Sequence, residues 1–463
     1  AYSTYDEGRQ RWSLHLRTPG SRAFAHAWAV DAPLDRPRLV GLGRRGGTVL
    51  INALRTDLGP SDPSAEDGAD VLSHLYEVDV ATGAWSRVVF ERPAHFLMHH
   101  PATALLIGWG RLEEDGSAYH FFDPGAASNW DRVRAAYPGQ APQLVSWSHD
   151  LRQVVVLVAG QAQSGVYQLV DMAQNRADII GEAYPGVPSS AVGAQRPIRY
   201  AASDGLEIHG YLTLPPDAGP ESGPESGTPL PLVVLAHGGP ASRDTPGFDW
   251  WAQAMASRGY AVLQANFRGS TDRGRAFMEA GFGEWGLKMQ TDLSDGVRWL
   301  AAEGLIDPRR VCIVGASYGG YAALAGVTVE QDLYRCAVSV NGVSDLRRML
   351  GEEVRATGRD SETVRYWTRF MGGDGPGDRS LDARSPARLT ARLTAPVLLI
   401  HGRDDTVVPL RQSRDFHAAA ERSGAQVRMV ELDGEDHWLS RGDTRLRMLA
   451  ETVAFLERHN PPR

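Results

Sequence analysis

The stretch Val311-Cys312-Ile313-Val314-Gly315-Ala316-Ser317-Tyr318-Gly319-Gly320, running into an alanine-rich segment that ends near 328, decides the fold. Its first four residues form the apolar run of a strand buried on both faces. Its end reads as a helix. Between them stands Gly-x-Ser-x-Gly, in which Gly315 and Gly319 permit a turn too tight for side chains. The turn leaves Ser317 projecting at a helix N-terminus, whose amides favour developing negative charge. This strand–serine–helix junction predicts an α/β hydrolase-type sheet with a nucleophile at its carboxyl edge.

The same grammar extends outward. From residue 232, strand-like runs at 232–236, 261–265, 311–314, 337–340, 397–400 and 427–432 alternate with helix-like runs at 250–257, 293–302, 318–328, 361–371, 410–423 and 444–459. That alternation predicts βαβ units, a mostly parallel sheet and helices on both faces. A serine hydroxyl needs a base, and the base an orienting acid, here in the chain order Ser, Asp/Glu, His. His401-Gly402-Arg403-Asp404-Asp405-Thr406-Val407-Val408-Pro409 follows one strand and Asp433-Gly434-Glu435-Asp436-His437-Trp438 the next. The reading assigns His437 as general base and Asp405 as its acid, with Asp404 a solvated neighbour. His401 precedes the acid and His417 lies mid-helix, so both are given structural roles. His237-Gly238-Gly239-Pro240 exposes bare backbone at the same edge, and the amides of Gly239 and Tyr318 are the expected oxyanion hole. His237 itself is read as structural.

Upstream, residues 1–195 read as β-rich. Short apolar or alternating runs recur at 12–16, 48–53, 75–80, 104–109, 154–159 and 165–170, separated by turn signals, and amphipathic helix patterns are scarce. Residues 145–150 resemble the start of a propeller blade, and at roughly 40–50 residues per blade the region has room for about four, but the internal repeat is too weak to establish a propeller from the sequence alone. Residues 196–463 form the second domain, opening with a hairpin at 197–215 around Ser203-Asp204-Gly205. The duplicated Gly-Pro-Glu-Ser within 216–231 reads as a flexible surface loop inside that domain. Residues 41–47 match a dinucleotide fingerprint loosely, but no helix pattern follows.

Composition excludes several classes. The 463 residues are 42% hydrophobic and 22% charged, as in a soluble globular protein of two or three domains. A net charge of -8 gives no broadly basic nucleic-acid surface. No apolar run is long enough to span a membrane. Lys288 is the only lysine among the 48 basic residues, and Met289 follows it, so there is no Gly-Lys-Ser/Thr phosphate loop. No metal-ligand spacing occurs and no cofactor is implied. Cys312 and Cys336 are too few for a disulfide scaffold and lie in apolar runs, so they read as two small core residues. Ala1 opens the chain without a signal-peptide pattern, so the reading is a soluble protein, expected in the cytoplasm ahead of the periplasm or exterior.

Taken together, residues from about 198 to 463 resemble the catalytic domain of the prolyl oligopeptidase family of serine peptidases, nearest its acylaminoacyl-peptidase-like branch. The carrying motifs are His237-Gly238-Gly239-Pro240, Asn266-Phe267-Arg268-Gly269-Ser270, Gly283-Glu284-Trp285-Gly286, the serine turn, and the loops bearing Asp405 and His437. The resemblance implies a propeller that admits only short peptides or acyl-peptides. It also implies a hydrophobic specificity pocket drawing on Tyr318, Val343, Leu346, Trp367 and Val408. Two departures stand out. Propellers of this family have about seven blades, so Ala1 is expected partway into a propeller of a longer parent chain. A propeller left open at four would favour association into a homo-oligomer through its strand edges. Relatives often carry arginine two positions after the catalytic aspartate, where this chain has Val407. That keeps a carboxylesterase as the alternative to a peptidase. Glu113-Glu114 could pass for a pair that grips a free N-terminus, but its setting reads as a solvated turn.

Overall fold

The computed structural model describes residues 1–55, 74–92, 94–159, 163–218, 229–271 and 273–462. The duplicated Gly-Pro-Glu-Ser segment lies outside the described residues.

Among the described residues, the N-terminal half builds four antiparallel sheets. The first joins β1 (Tyr2–Asp6), β2 (Arg11–Leu16) and β3 (Ala25–Asp31). The second joins β4 (Arg38–Leu42), β5 (Thr48–Ala53), β6 (His74–Asp79) and β7 (Trp85–Arg87). The third joins β8 (Phe96–His99), β9 (Leu106–Leu112) and β10 (Ser117–Phe121). The fourth, β11 (Gln143–Trp147), β12 (Gln153–Val158), β13 (Val166–Asp171) and β14 (Arg176–Glu182), follows helix α1 (Pro124–Ala135). Within each sheet consecutive strands are neighbours, as in propeller blades. Alternation explains β2 and β12, where every second residue is buried. Residues 41–47 turn from β4 into β5, and Glu77 closes that turn by accepting from the Arg44 amide at 2.8 Å and the Thr48 hydroxyl at 2.6 Å. Helix α1 departs from the all-β expectation. Asp123 caps it, Pro124 opens it, and Trp130 and Val133 bury it beside β12.

Among the described residues, the C-terminal half is built on one eight-stranded sheet. Its strands are β15 (Gln195–Ala201), β16 (Glu207–Thr213), β17 (Leu230–Ala236), β18 (Ala261–Asn266), β19 (Ile306–Ala316), β20 (Cys336–Val340), β21 (Val397–Gly402) and β22 (Val427–Leu432). Their order is β15-β16-β18-β17-β19-β20-β21-β22, parallel from β18 onward, with β15 and β16 the antiparallel hairpin at one edge. The interleaved helices are α2 (Trp250–Ala256), α3 (Arg275–Glu279), α4 (Lys288–Ala302), α5 (Tyr318–Gly326), α6 (Leu346–Thr357), α7 (Glu362–Met371), α8 (Arg411–Arg422) and α9 (Gly442–His459).

The strand pleat divides the core in two. Leu232, Val234, Val311, Ile313, Val397 and Leu399 pack with α4, α5, α6 and α8. Their neighbours Val233, Leu235, Val314, Leu398 and Ile400 pack with α2 and α9. Cys312 and Cys336 belong to this second layer as the small core residues expected, and they also form a disulfide. The sequence hid this pairing because it depends on register. The two residues face each other across β19 and β20 with Cα atoms 4.8 Å apart, within disulfide reach.

One buried charge cluster holds the edge hairpin to the sheet. Arg268, just past β18, binds the fully buried Asp292 of α4 at 2.7 Å and Asp204 of the hairpin turn at 2.8 Å. Lys288 also reaches Asp204, at 2.8 Å. Several contacts tie the halves together, among them an ion pair of Arg36 with Glu362 at 2.6 Å. Arg365 of α7 donates to the Pro33 carbonyl at 2.7 Å and to the Tyr5 hydroxyl at 3.1 Å. Glu114, in the β9–β10 turn, pairs with Arg199 of β15 and, at 3.2 Å, with His209 of β16. The Glu113-Glu114 turn is therefore docked on the C-terminal half rather than merely solvated.

Candidate active site

The site is built at the carboxyl ends of β17, β19, β21 and β22, the edge where open α/β sheets carry ligands. Ser317 occupies the single residue between β19 and α5. Its backbone has φ 57° and ψ -118°, a conformation costly for any residue but glycine and held here by its surroundings. The Ser317 amide donates to the Val340 carbonyl at 3.0 Å, and its carbonyl accepts from the Tyr321 amide. The flanking glycines are sterically required. A Cβ on Gly315 would lie 2.5 Å from the Gly319 backbone, and one on Gly319 would lie 1.9 Å from the Ala236 carbonyl oxygen.

Asp405 and His437 are brought together. His437 Nδ1 lies 2.7 Å from Asp405 Oδ2, and the carboxylate is fully buried. Its other oxygen accepts from the Val407 and Val408 amides, each at 2.8 Å. Burial opposes the Asp405 charge, but hydrogen bonding from His401, His437 and the Val408 amide outweighs it. The carboxyl is held well below the usual range, so Asp405 remains an acceptor. Because Asp405 occupies Nδ1, the Nε2 atom of His437 is the one left for proton transfer. No hydrogen bond joins Ser317 to His437 in this structure; such contacts often tighten only around substrate. Asp404 is exposed, with its amide on the Glu435 carbonyl.

The remaining histidines are placed by packing. His401 is fully buried, with Nδ1 2.7 Å from the Ser413 hydroxyl and Nε2 2.9 Å from the Val408 carbonyl. It buttresses the Asp405 loop from below. His237 stacks on Phe267 and bonds Ser270, and burial pulls its imidazole down to about 4. His417, on α8, pairs with Glu421 one turn on.

Gly239, Ser317 and Tyr318 share the wall of one pocket. Tyr318 is the first residue of α5, so its amide has no intrahelical acceptor. Three of the other expected pocket residues, Val343, Trp367 and Val408, line the same space. Leu346 does not. It is fully buried at the start of α6, and Met349, one turn further along, faces the pocket instead. The structure adds Trp285, Met371 and Val407 to the wall. Trp285 is completely buried and meets Tyr318 edge-on at 4.5 Å. Its motif was visible in the sequence, but nothing in the spacing set a tryptophan between two glycines against the serine turn.

Comparisons with known proteins bear on the fold and the family. The sequence profile of the prolyl oligopeptidase family matches residues 246–461. Dipeptidyl aminopeptidase BIII of Pseudoxanthomonas mexicana is 31% identical over 397 residues, covering 82% of this chain and 55% of that protein. The chain thus spans about half the length of the curated relatives it matches. Among solved structures, a puromycin-hydrolyzing peptidase of Mycobacterium tuberculosis superposes with a TM-score of 0.72 at 24% identity, over 98% of this chain and 66% of that one. The acylaminoacyl peptidase of Pyrococcus horikoshii gives 0.71 at 21% identity, over 98% and 67%. The relatives include both acylamino-acid-releasing and dipeptidyl enzymes, so the match supports the family without choosing a branch. With the strained serine turn, the Asp405–His437 pair and the profile match in agreement, the chain belongs to the prolyl oligopeptidase family.

Proposed function

We propose that the chain is a serine peptidase hydrolysing short peptides or acyl-peptides through Ser317, His437 and Asp405. The observation that carries this reading is the convergence of three features at one edge. They are a strained serine, a buried carboxylate–imidazole pair, and Gly239 and Tyr318 lining one pocket with the serine.

In this mechanism Ser317 Oγ attacks the scissile carbonyl while His437 Nε2 accepts its proton. Asp405, on Nδ1, fixes the tautomer and stabilises the imidazolium. The amides of Gly239 and Tyr318 hold the oxyanion, a contribution worth about 3–4 kcal/mol per donor in related chemistry. The imidazolium then gives its proton to the leaving amine. Water, deprotonated by the same imidazole, releases the acyl group and restores Ser317. The apolar wall of Trp285, Val343, Trp367 and Val408 favours an apolar side chain next to the cleaved bond, for which the narrow space between them would have to open. Within the family, the branch stays with the substrate: dipeptides, acylated residues and short internal bonds are all chemically compatible with this site.

A second reading, a carboxylesterase on the same residues, has one observation in its favour. Val407 lines the pocket where an arginine would grip a peptide backbone, and an ester needs less anchoring. The direct test is covalent labelling with a serine-directed phosphonate. The proposal expects one equivalent bound at Ser317 in the wild type and none in Ser317→Ala. Labelling at another serine would reject it.

A further inference from the structure

The serine, the aspartate and the histidine arrive on three separate loops, and one residue outside the proposed triad touches all three supports. Asn341 is the first residue after β20, between the strands that carry Ser317 and Asp405. It is 1% exposed. Its side-chain oxygen accepts from the Gly402 amide at 2.8 Å, three residues before Asp405. Its side-chain nitrogen donates to the Asp436 carbonyl at 3.3 Å and to the His437 carbonyl at 3.2 Å. Its own amide donates to the Ile400 carbonyl at 2.9 Å, and the carbonyl just before it accepts from the Ser317 amide at 3.0 Å. Behind it, Gly342 and Gly320 approach so closely that a Cβ on Gly320 would fall 2.7 Å from Gly342 Cα.

The residue type is dictated by these partners. The backbone at 341 has φ 47°, the left-handed region that asparagine enters more readily than other non-glycine residues. One acceptor must meet an N–H and the other end must supply donors to two carbonyls, which only a carboxamide of this length does. The amide orientation follows from the partners, since the reverse would set oxygen against two carbonyl oxygens.

We infer that Asn341 is a positioning residue for the reaction: its carboxamide clamps the His437 loop to the end of β21, holding the imidazole at the distance from Ser317 and Asp405 that turnover requires. The inference rests on the triad proposed above. The clamp leaves the pocket alone, so its loss should act on the chemical step rather than on substrate binding.

Two variants separate this role from simple structural support. Asn341→Gly keeps the left-handed backbone and removes the clamp. Asn341→Asp keeps the shape and the bond to Gly402 but faces an oxygen toward the two carbonyls. Both are measured for thermal midpoint, kcat, KM and the pH profile of kcat, beside His437→Ala. The expected result is a fall in kcat of about 100-fold in each variant with KM changed by less than about threefold. In the glycine variant the pH profile of kcat should also change, because the His437–Asp405 bond is no longer held in place. Unchanged kcat and an unchanged profile in either folded variant would overturn the inference, as would a loss confined to KM or to the thermal midpoint. If His437→Ala were itself active, the triad reading would fail instead.

Discussion

The two halves of the molecule bury their strands differently, and this sets what each can do. In the C-terminal sheet, β17, β18, β20 and β21 are buried along almost their whole length, because helices cover both faces. The N-terminal sheets are short, share smaller cores and leave edges open, as at β14, where Ile179 and Ile180 face solvent. The deep two-layer core holds both a strained serine and a buried carboxylate at one sheet edge, whereas the buried carboxylate of the N-terminal sheets, Glu77, closes a turn. On the proposed function, both the chemistry and the apolar pocket beside it belong to the parallel sheet, and the blades join that half through contacts such as those of Glu114 and Arg365.

The sharpest way to break this comparison is at the strained edge. Ser317→Ala or His437→Ala should each lower turnover by about 10⁴-fold or more with little change in thermal midpoint, measured by initial rates and calorimetry. The buried and exposed ion pairs give the next largest contrast. Arg268→Ala strands the buried Asp292 and should cost about 3–5 kcal/mol in denaturant unfolding. Arg11→Ala, which opens a solvent-exposed pair with Asp31 on the first N-terminal sheet, should cost no more than about 1 kcal/mol. Apolar truncation follows the same order. Leu399→Ala in the sheet core should cost about 2–5 kcal/mol, whereas Ile179→Ala on the open edge should stay within about 0.5 kcal/mol. Equal costs in the two halves would remove the contrast.

Acid should reveal a smaller difference. His237 is kept neutral by burial in the fold, with its value drawn down to about 4. Below its ordinary value of about 6.5 the unfolded chain binds the extra proton first. The stability tied to His237 is thus fully present above that pH and is lost progressively as pH falls toward 4. Replacing His237 with glutamine should flatten the midpoint-versus-pH curve in that window. An unchanged slope would show that other groups set it.

Much of this was legible because parallel strands speak plainly. Continuous runs such as Val397-Leu398-Leu399-Ile400 are short, β-branched or apolar throughout, and end where loops carry polar residues. The serine turn, the Asp405 loop and the His437 loop could be read because each sits at such an end. What depended on register or on distant packing could not be read. The Cys312–Cys336 disulfide needs the pairing of β19 with β20. Met349 replaces Leu346 in the pocket because the helix turns by about 100° per residue from its start. Asn341 looked like any loop asparagine until three strand ends met around it. Helix α1 escaped notice because its buried face rests on few residues, Ala126, Trp130 and Val133, among polar neighbours.

The most direct test of the central claim is kcat/KM on three substrates, an N-acetylated amino-acid anilide, its ester and a free-amine dipeptide anilide, with Ser317→Ala as the blank. The account predicts that the wild type cleaves at least one anilide and that Ser317→Ala loses that activity by about 10⁴-fold. Anilide cleavage undiminished in Ser317→Ala would contradict the assigned nucleophile. Rapid ester turnover with neither anilide cleaved would contradict the peptidase and leave the esterase in its place.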